Sequence, residues 1–217
     1  MYYLQSRTEM LPFVPLAARR ILDVGCAAGA FGRLLMQERN DVLVSGVEPD
    51  PDAAATAAAT YDAVATGRFP DACPPGTFDC VVFNDVLEHM VDPWQALRYT
   101  ATILGPRGVV VASIPNVRYW PVLQALVVRG RWDYTDDGVL DRTHLRWFTR
   151  HSITDLFTST GYHLERIDRL SGLRQGRRWR ALKLVARDFV DDVTTQQYAV
   201  VARRATTVHA DPGGQGS

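Results

Sequence analysis

Residues 21–32 of this 217-residue chain read Ile21-Leu-Asp-Val-Gly-Cys-Ala-Ala-Gly-Ala-Phe-Gly32. The apolar run around Asp23 predicts a buried strand, and the residues from Phe31 onward predict an amphipathic helix. Between them, Gly25 and Gly29 permit a tight turn and a close approach of the backbone to a ligand. The helix directs its unpaired N–H groups into the same space. The segment therefore predicts a strand, a loop and a helix that together bind a small molecule.

The glycine spacing argues against a dinucleotide as that molecule. A dinucleotide-binding loop has the pattern G-x-G-x-x-G, whose second glycine admits the pyrophosphate. Ala27 stands at that second position here. Asp23 also disfavours a phosphate, because like charges repel, whereas its carboxylate can pair with an amino group. This segment alone leaves open the alternative of a glycine-rich turn without a ligand.

The composition predicts one intracellular domain. The 24 basic and 24 acidic residues balance, which favours neither a nucleic-acid-binding protein nor a membrane-surface protein. The three cysteines have neither disulfide nor zinc spacing, which favours a cytoplasmic location. We see no signal peptide and no apolar run long enough to span a bilayer. We expect a single domain over residues 1–204, with an N-terminal lid over 1–19 and a disordered tail over 205–217.

Further strands and helices follow from the apolar pattern. Strands are predicted at residues 42–47, 61–65, 78–83, 109–114, 162–169 and 197–204. Glu48 ends the first of these, and Pro51 opens a helix after it. A late helix is predicted over residues 152–160, with Thr149 or Ser152 as its cap and Gly161 as its stop.

Two motifs carry a resemblance to a known family. The loop D-x-G-x-x-x-G begins at Asp23, and the segment F-D-x-V-x-x-x-D-V-L-E-H begins at Phe78 and continues into D-P-W at Asp92. Together they resemble the class I S-adenosylmethionine (SAM)-dependent methyltransferases, in particular the small-molecule type related to the ubiquinone-pathway enzymes. The resemblance implies an α/β fold: a doubly wound, Rossmann-like, seven-stranded, mostly parallel sheet with a final antiparallel strand and helices on both faces.

The resemblance implies SAM as the cofactor and indicates where it binds. Glu48, at the end of a strand, is expected to accept the ribose hydroxyls. The family usually has an acidic residue that holds the adenine amino group, but this chain reads Thr66-Gly-Arg-Phe-Pro70, which leaves Asp71 or backbone groups as substitutes. The expected cofactor contacts are Asp23, Gly25, Cys26, Ala27, Gly29, Phe31, Glu48, Pro49, Asn84, Val86 and His89.

Later motifs indicate the acceptor. P-N-V-R at Pro115, G-R-W-x-Y at Gly130 and D-R-T-H-L-R-W-F-T at Asp141 resemble a bacterial subgroup of these methyltransferases associated with surface-polysaccharide and glycan loci. This resemblance implies a sugar or glycan-precursor hydroxyl as acceptor, covered by an insertion over residues 115–150. Aromatic rings stack on sugars, and arginines clamp phosphates or carboxylates. The predicted substrate contacts are Tyr3, Arg7, Asn116, Arg118, Trp132, Tyr134 and Arg142.

An alcohol acceptor requires a base, and the histidines are the candidates. His144 with Asp141 is predicted as a carboxylate-oriented catalytic base. The alternative is that these two residues pin the insertion through structural bonds. His89 is expected to line the site, or else to shape its turn. No metal is predicted, because carboxylates and histidines occur only as isolated pairs.

Three other functions remain open from the sequence. The methyl group could go to nitrogen or carbon of a secondary metabolite. The arginine-rich segment from Arg174 to Arg187 could bind or help to methylate nucleic acid, although overall neutrality argues against this. A non-catalytic SAM-binding module is the third alternative. The oligomeric state is not indicated, and a homodimer is one option.

Overall fold

A computed structural model describes residues 6–205, and the predictions for Tyr3 and for a tail from residue 206 onward lie outside these residues. The strands are β1 (Arg20–Val24), β2 (Leu43–Glu48), β3 (Ala63–Thr66), β4 (Phe78–Asn84), β5 (Leu104–Pro115), β6 (Tyr162–Gly172) and β7 (Thr195–Arg204). The helices are α1 (Ala30–Glu38), α2 (Pro51–Ala58), α3 (Pro93–Ile103), α4 (Trp120–Arg129), α5 (Arg150–Ser159), α6 (Arg177–Lys183) and α7 (Arg187–Val193). Two short 3₁₀ helices cover Thr8–Phe13 and Leu87–His89.

The strands form one seven-stranded sheet in the order β3-β2-β1-β4-β5-β7-β6. The pairs from β3 to β5 are parallel, whereas β7 runs antiparallel to both of its neighbours. This topology confirms the predicted fold class. The chain order reverses between β1 and β4, and ligands of open α/β sheets bind at the carboxyl ends of the strands beside such a switch. The Gly25 loop, Glu48 and Asn84 all lie at this edge.

Both faces of the sheet are buried. Alternate residues of β4 belong to different apolar clusters: Val81 and Phe83 pack into one, Cys80 and Val82 into the other. A strand that is apolar on both faces needs a helical layer on each side. This arrangement holds the strand ends, and hence the loops after them, in fixed positions.

Several element bounds differ from the sequence predictions for local reasons. β3 begins at Ala63 rather than residue 61, because the Tyr61 ring packs below the Gly25 loop and the Asp62 carboxylate accepts the Val44 N–H at 2.7 Å. α5 begins at Arg150, because Thr149 and Ser152 form a reciprocal capping box. α4 and the arginine-rich α6 were not predicted. Within residues 6–205, no helix has the length and apolar character needed to cross a membrane.

Candidate active site

The loop after β1 lies against the end of β2. The Gly25 N–H donates to the Val47 carbonyl at 2.8 Å, and Gly25 has a φ of +69°. A Cβ atom built on Gly25 would lie 2.7 Å from Cγ2 of Val86, which is too close for any real contact. Ala27 also has a positive φ, of +47°, an unusual conformation for a residue with a side chain. Position 25 therefore requires a glycine, because any side chain there would collide with Val86.

Glu48 anchors the loop. Its Oε2 accepts the Ala27 N–H at 2.8 Å, and its Oε1 accepts the Asp50 N–H at 3.0 Å. The side chain is buried, but each carboxylate oxygen has lone-pair capacity for another donor. Its neighbours Val47 and Pro49 line the adjacent cavity. Glu48 therefore orders the loop, and it lies next to the cavity without lining it.

The environment of Asp23 differs from the prediction, in which its carboxylate is open to pair with a ligand. It is buried, and its Oδ2 accepts a 2.6 Å hydrogen bond from the Tyr61 hydroxyl. The Tyr61 oxygen in turn accepts the Gly32 N–H at 2.9 Å. Asp23 therefore reaches α1 through Tyr61 and fixes the angle at which the loop enters the helix. Burial raises the pKa of Asp23 to about 7, against the lowering effect of the Tyr61 bond.

We expect this buried acid to make stability depend on pH. Because its folded pKa lies above its unfolded value, its contribution to the free energy of unfolding is complete below about pH 4 and is lost as pH rises to about 7. Asp23→Asn removes the titrating group but keeps an oxygen for Tyr61. Urea unfolding between pH 4 and 8 should show a decline for the wild type that exceeds that of the variant by up to about 1.4 kcal/mol per pH unit. Parallel curves would contradict the assignment.

A cavity of about 300 Å³ opens beside the loop. It extends from Gly25 over the end of β2 to the segment after β3, where the usual acidic residue is missing. Its lining includes Arg68, Phe69 and Asp71, so the acidic residue that the sequence offered as a substitute does lie in the cavity wall. The full lining is Val24, Gly25, Val47, Pro49, Gly67, Arg68, Phe69, Pro70, Asp71, Val86, His89, Met90, Val91, Asp92 and Gln95.

Two predicted cofactor contacts point elsewhere. Phe31 is buried and packs in the core below α1. Cys26 is also buried, with its Sγ against Gly46 on the far side of the loop. The loop turns its backbone toward the cavity and these two side chains toward the core, so they can support a ligand only indirectly. Gly29 lies over Tyr61 and Ala57, where a Cβ would come within 3.0 Å of the tyrosine ring.

The end of β4 is strained and polar. Asp85 has a φ of +56°, a conformation that costs free energy and tends to occur at functional sites. Its carboxylate pairs with Arg7 at 3.1 Å and accepts the Ser113 hydroxyl at 2.9 Å. Both amide atoms of Asn84 are buried without a hydrogen-bond partner among residues 6–205. Such unpaired atoms in a native structure indicate a missing partner such as a ligand.

A second cavity, of about 340 Å³, lies on the other side of this strand end. Its walls come from five separated parts of the chain: the N-terminal segment, the segment after β4, the end of β5 with the insertion after it, the end of β6, and the start of β7. Most of its lining groups are polar. They are Arg7, Glu9, Asp85, Glu88, Pro115, Asp137, Gly138, Val139, Asp141, His144, Ser171, Gln196 and Gln197.

His144 is oriented by a backbone carbonyl and not by Asp141. Its Nδ1 lies 3.1 Å from the Val139 carbonyl, which can only accept, so the neutral ring carries its proton there and its lone pair on Nε2. The Asp141 carboxylate instead accepts the N–H and hydroxyl of Thr143, at 2.7 and 2.6 Å. A short aspartate side chain bonds most readily to the backbone two residues on, and this competes with a pairing to His144. Burial lowers the pKa of His144.

His89 and His144 meet across the two cavities. Their ring centroids are 4.6 Å apart in an edge-to-face arrangement. Nδ1 of His89 lies 3.1 Å from the Thr143 hydroxyl and 3.2 Å from its carbonyl. Since that hydroxyl donates to Asp141, both Thr143 oxygens act as acceptors here, and the proton of neutral His89 belongs on Nδ1. Asp141 therefore positions His89 through Thr143.

Glu88, which sequence reasoning left without a role, completes this region. It is buried, and both of its carboxylate oxygens lack a hydrogen-bond partner among the described residues. Burial and the nearby Asp85 raise its pKa well above the usual range. One ligand atom each from Glu88, His89 and His144 lie within 4.8 Å of one another. The sequence shows only the adjacent pair, whereas the fold adds the distant His144, so the prediction of isolated pairs was wrong.

Of the predicted substrate contacts within the described residues, only Arg7 lines the second cavity. Asn116 is fully buried, and its amide donates to the Asp192 and Thr195 carbonyls at 2.9 Å each. Arg118 pairs with the Asp192 carboxylate and lies over the Phe189 ring. Both residues fix α7 against the end of β5 and do not line the second cavity. The sequence offered no signal for this, because α7 lies more than 70 residues later.

We expect Asn116→Ala to test that correction. It would remove the buried amide that donates to the Asp192 and Thr195 carbonyls, so the free energy of unfolding should fall by about 2 kcal/mol. Because Asn116 does not line the cavity, the KM for the acceptor should stay near the wild-type value. Urea unfolding and steady-state kinetics measure the two quantities. A raised KM with unchanged stability would restore the predicted role.

The remaining predicted contacts stabilise the insertion itself. Trp132 packs edge-on against Trp147 at 5.8 Å and belongs to a small apolar cluster with Val122. Tyr134 is half exposed, and its ring contacts that of Trp147 in a tilted arrangement. Arg142 forms an exposed ion pair with Asp136 at 2.7 Å. Trp132 therefore packs within the insertion, whereas Tyr134 stays exposed, and neither residue lines the second cavity.

The sequence did not predict several other polar residues that line the second cavity. Gln197, on β7, donates to the Asp85 carboxylate and accepts from Arg7. Ser171 and Gln196 come from the last two strands. No local motif marks these positions. Their role arises from the antiparallel pairing that brings the start of β7 beside the end of β5.

Comparisons with known proteins identify relatives of this chain. A family model described as a methyltransferase domain matches residues 2–167. The ubiquinone biosynthesis O-methyltransferase of Ralstonia nicotianae is 32% identical over 108 residues, which cover 46% of this chain and 44% of that protein. The 27-O-demethylrifamycin SV methyltransferase of Amycolatopsis mediterranei is 34% identical over 101 residues, which cover 42% of this chain and 37% of that protein. The matches span less than half the length of these two relatives.

Solved structures share the fold. An S-adenosylmethionine-dependent methyltransferase from Mesorhizobium loti superposes with a TM-score of 0.62 at 18% identity, covering 92% of this chain and 98% of that one. One from Archaeoglobus fulgidus gives a TM-score of 0.59 at 18% identity and covers 87% of each chain. These likenesses agree with the sheet order described above.

Proposed function

The chain belongs to the methyltransferase domain family of S-adenosylmethionine-dependent enzymes, and we propose that it methylates a hydroxyl oxygen of a small molecule. One observation carries this proposal: two cavities meet at the residues that follow β4. His89 lines the cavity beside the Gly25 loop, while Glu88 and His144 line the other. A cofactor in the first cavity would thus meet an acceptor in the second across the two histidines.

The residues present fit SAM in the first cavity. The space over Gly25 leaves no room for a side chain at this position, and the buried Asn84 amide has no hydrogen-bond partner among the described residues. We propose that Gly25, Ala27 and Gly29 give the backbone approach, Glu48 the ribose contact, and Pro49, Asn84, Val86 and His89 the surrounding surface, with Asp23, Cys26 and Phe31 supporting the loop from behind. When bound, SAM supplies a methyl group on a sulfonium; its transfer to an oxygen forms a C–O bond, leaves the sulfur as a neutral thioether and releases the hydroxyl proton.

We propose that His144 acts on the acceptor hydroxyl through Nε2. The Val139 carbonyl fixes the ring and its tautomer, and burial keeps the imidazole neutral with its lone pair available. Asp141 contributes indirectly: its carboxylate accepts a hydrogen bond from the Thr143 hydroxyl, and that hydroxyl contacts Nδ1 of His89. Arg7 shapes the cavity wall through its bonds to Asp85, Ser113 and Gln197.

The acceptor class that we propose is a sugar or related glycan precursor. The second cavity offers acids, amides and a hydroxyl from Glu9, Asp137, Ser171 and Gln197, groups that hydrogen-bond to a polyol. Residues 115–150 act as a cover, since Asp137 and Val139 come from it. The described part of the proposed lid over residues 1–19 contributes Arg7 and Glu9 to the same cavity. We propose one domain through residue 204 and a cytoplasmic location, in keeping with three unpaired cysteines.

A methyl-transfer screen with labelled SAM tests the acceptor. Sugar nucleotides, free sugars, amino sugars and catechols should be offered side by side. The proposal expects label on a sugar hydroxyl. Turnover on amino sugars alone would favour N-methylation, and turnover on catechols alone would contradict the sugar assignment while keeping O-methylation.

A further inference from the structure

Glu88, His89 and His144 converge between the two cavities, and the cofactor contacts leave Glu88 without a function. A carboxylate oxygen of Glu88 and one ring nitrogen of each histidine all lie within 4.8 Å of one another. The group joins the first cavity, lined by His89, to the second, lined by Glu88 and His144. Its position is therefore the place where an acceptor oxygen would stand beside the cofactor.

Glu88 needs a partner that the described residues do not provide. Its residue is 1% exposed, and neither carboxylate oxygen receives a hydrogen bond among residues 6–205. A buried acid whose oxygens have no hydrogen-bond partner destabilises the fold, and a bound cation would supply the missing partner. The terminal nitrogens of Arg7 are directed to Glu9, Asp85, Ser113 and Gln197. The unpartnered oxygens thus point to a bound cation.

Both histidines are arranged as metal ligands usually are. Nδ1 of His144 faces the Val139 carbonyl, and Nδ1 of His89 faces Thr143, which is itself held by Asp141. A hydrogen-bond acceptor at one ring nitrogen is the second-sphere contact that commonly orients a metal-binding histidine. The set is two imidazoles and one carboxylate, which suits zinc, manganese, iron or cobalt as divalent ions.

We propose that Glu88, His89 and His144 bind one divalent transition-metal cation, which holds the acceptor hydroxyl. Its acceptor role rests on the proposed function, whereas cation binding does not. With three protein ligands, the cation keeps positions for the acceptor oxygen. A coordinated hydroxyl loses its proton to solvent more readily, and the oxygen retains the electron pair with which it forms the new bond to carbon. His144 then acts on the acceptor through the cation.

The test is a titration of the untagged, chelator-treated protein with Co²⁺, followed by visible absorption and calorimetry. Wild type should bind one equivalent. Glu88→Gln, which keeps the shape of the side chain, and His144→Ala should each weaken the dissociation constant at least about a hundredfold. His151→Ala is the matched control, because His151 is 89% exposed on α5 and is not a member of the cluster. Circular dichroism checks that each variant is folded.

The outcomes separate this inference from the proposed function. Equal Co²⁺ affinity in wild type and Glu88→Gln, or no binding by wild type, would overturn the cation site. A parallel titration of metal-free protein with S-adenosylhomocysteine tests the cofactor cavity alone. Cation binding without S-adenosylhomocysteine binding would support the site and count against the methyltransferase proposal; the reverse result would count against the site only.

Discussion

A Gly25→Val variant is expected to lose binding of S-adenosylhomocysteine while keeping its fold. Gly25 has a φ of +69°, and its Cβ position lies 2.7 Å from Cγ2 of Val86, which lines the cofactor cavity. A valine side chain would displace Val86 and occupy the surface against which the ligand must lie. We expect the dissociation constant to rise by at least about a hundredfold, equivalent to about 3 kcal/mol. Calorimetric titration measures it.

Gly161→Val is the control that separates backbone strain from obstruction. Gly161 has a φ of +88°, so a valine is strained there too, but its Cβ would meet no atom within 4 Å. It lies just before β6, at the edge of the sheet opposite the cofactor cavity. The control should lose stability and keep its affinity for S-adenosylhomocysteine. If Gly25→Val also kept wild-type affinity, the loop would not be the cofactor site.

His144→Ala is expected to lower turnover by about a hundredfold or more and to leave S-adenosylhomocysteine affinity nearly unchanged. The reason is its position: His144 lines the second cavity, which we propose for the acceptor, and does not line the first. Without the cation, its Nε2 lone pair accepts the proton of the acceptor hydroxyl; with the cation bound, His144 instead helps to hold the metal that binds this hydroxyl. Steady-state kinetics on an acceptor found by the screen give kcat and KM, and calorimetry gives the affinity.

His151→Ala provides the comparison for that measurement, since His151 is an exposed histidine near Asp155 on α5. Its kinetics should match those of the wild type. Asp141→Asn should reduce turnover less than His144→Ala, because Asp141 acts through Thr143 and His89. Wild-type turnover in His144→Ala would make His144 a structural residue of the insertion, the alternative that the sequence left open.

The sheet could be predicted because its signals are local. Apolar runs that end at Asp23, Glu48 and Asn84, each followed by a turn or a helix start, indicate parallel strands whose carboxyl ends meet at one edge. The Gly25 loop is readable for the same reason. Tyr61 shows where local signals fail. The residues around it fit the pattern of a strand, yet its hydroxyl forms hydrogen bonds with Gly32 and Asp23, outside the strand.

The acceptor side was harder to predict because distant segments build it. Asn116 and Arg118 looked like ligand contacts until α7 was placed against them. Glu88 stood in a quoted motif without a role, since only folding brings His144 to it from 56 residues away. The pairing of Asp141 with His144 was wrong, because a tight turn gave the carboxylate a nearer donor in Thr143. Motif spacing identifies residue types, whereas their partners depend on tertiary packing.

The most direct test is a calorimetric titration of the purified protein with S-adenosylhomocysteine, run beside NAD. The cradle over Gly25, the ordered Glu48 and the unpaired Asn84 amide predict binding of one equivalent of S-adenosylhomocysteine. Ala27 in place of the second loop glycine predicts that NAD does not bind. Binding of NAD alone, or of neither compound, would contradict the assignment of this cavity to S-adenosylmethionine.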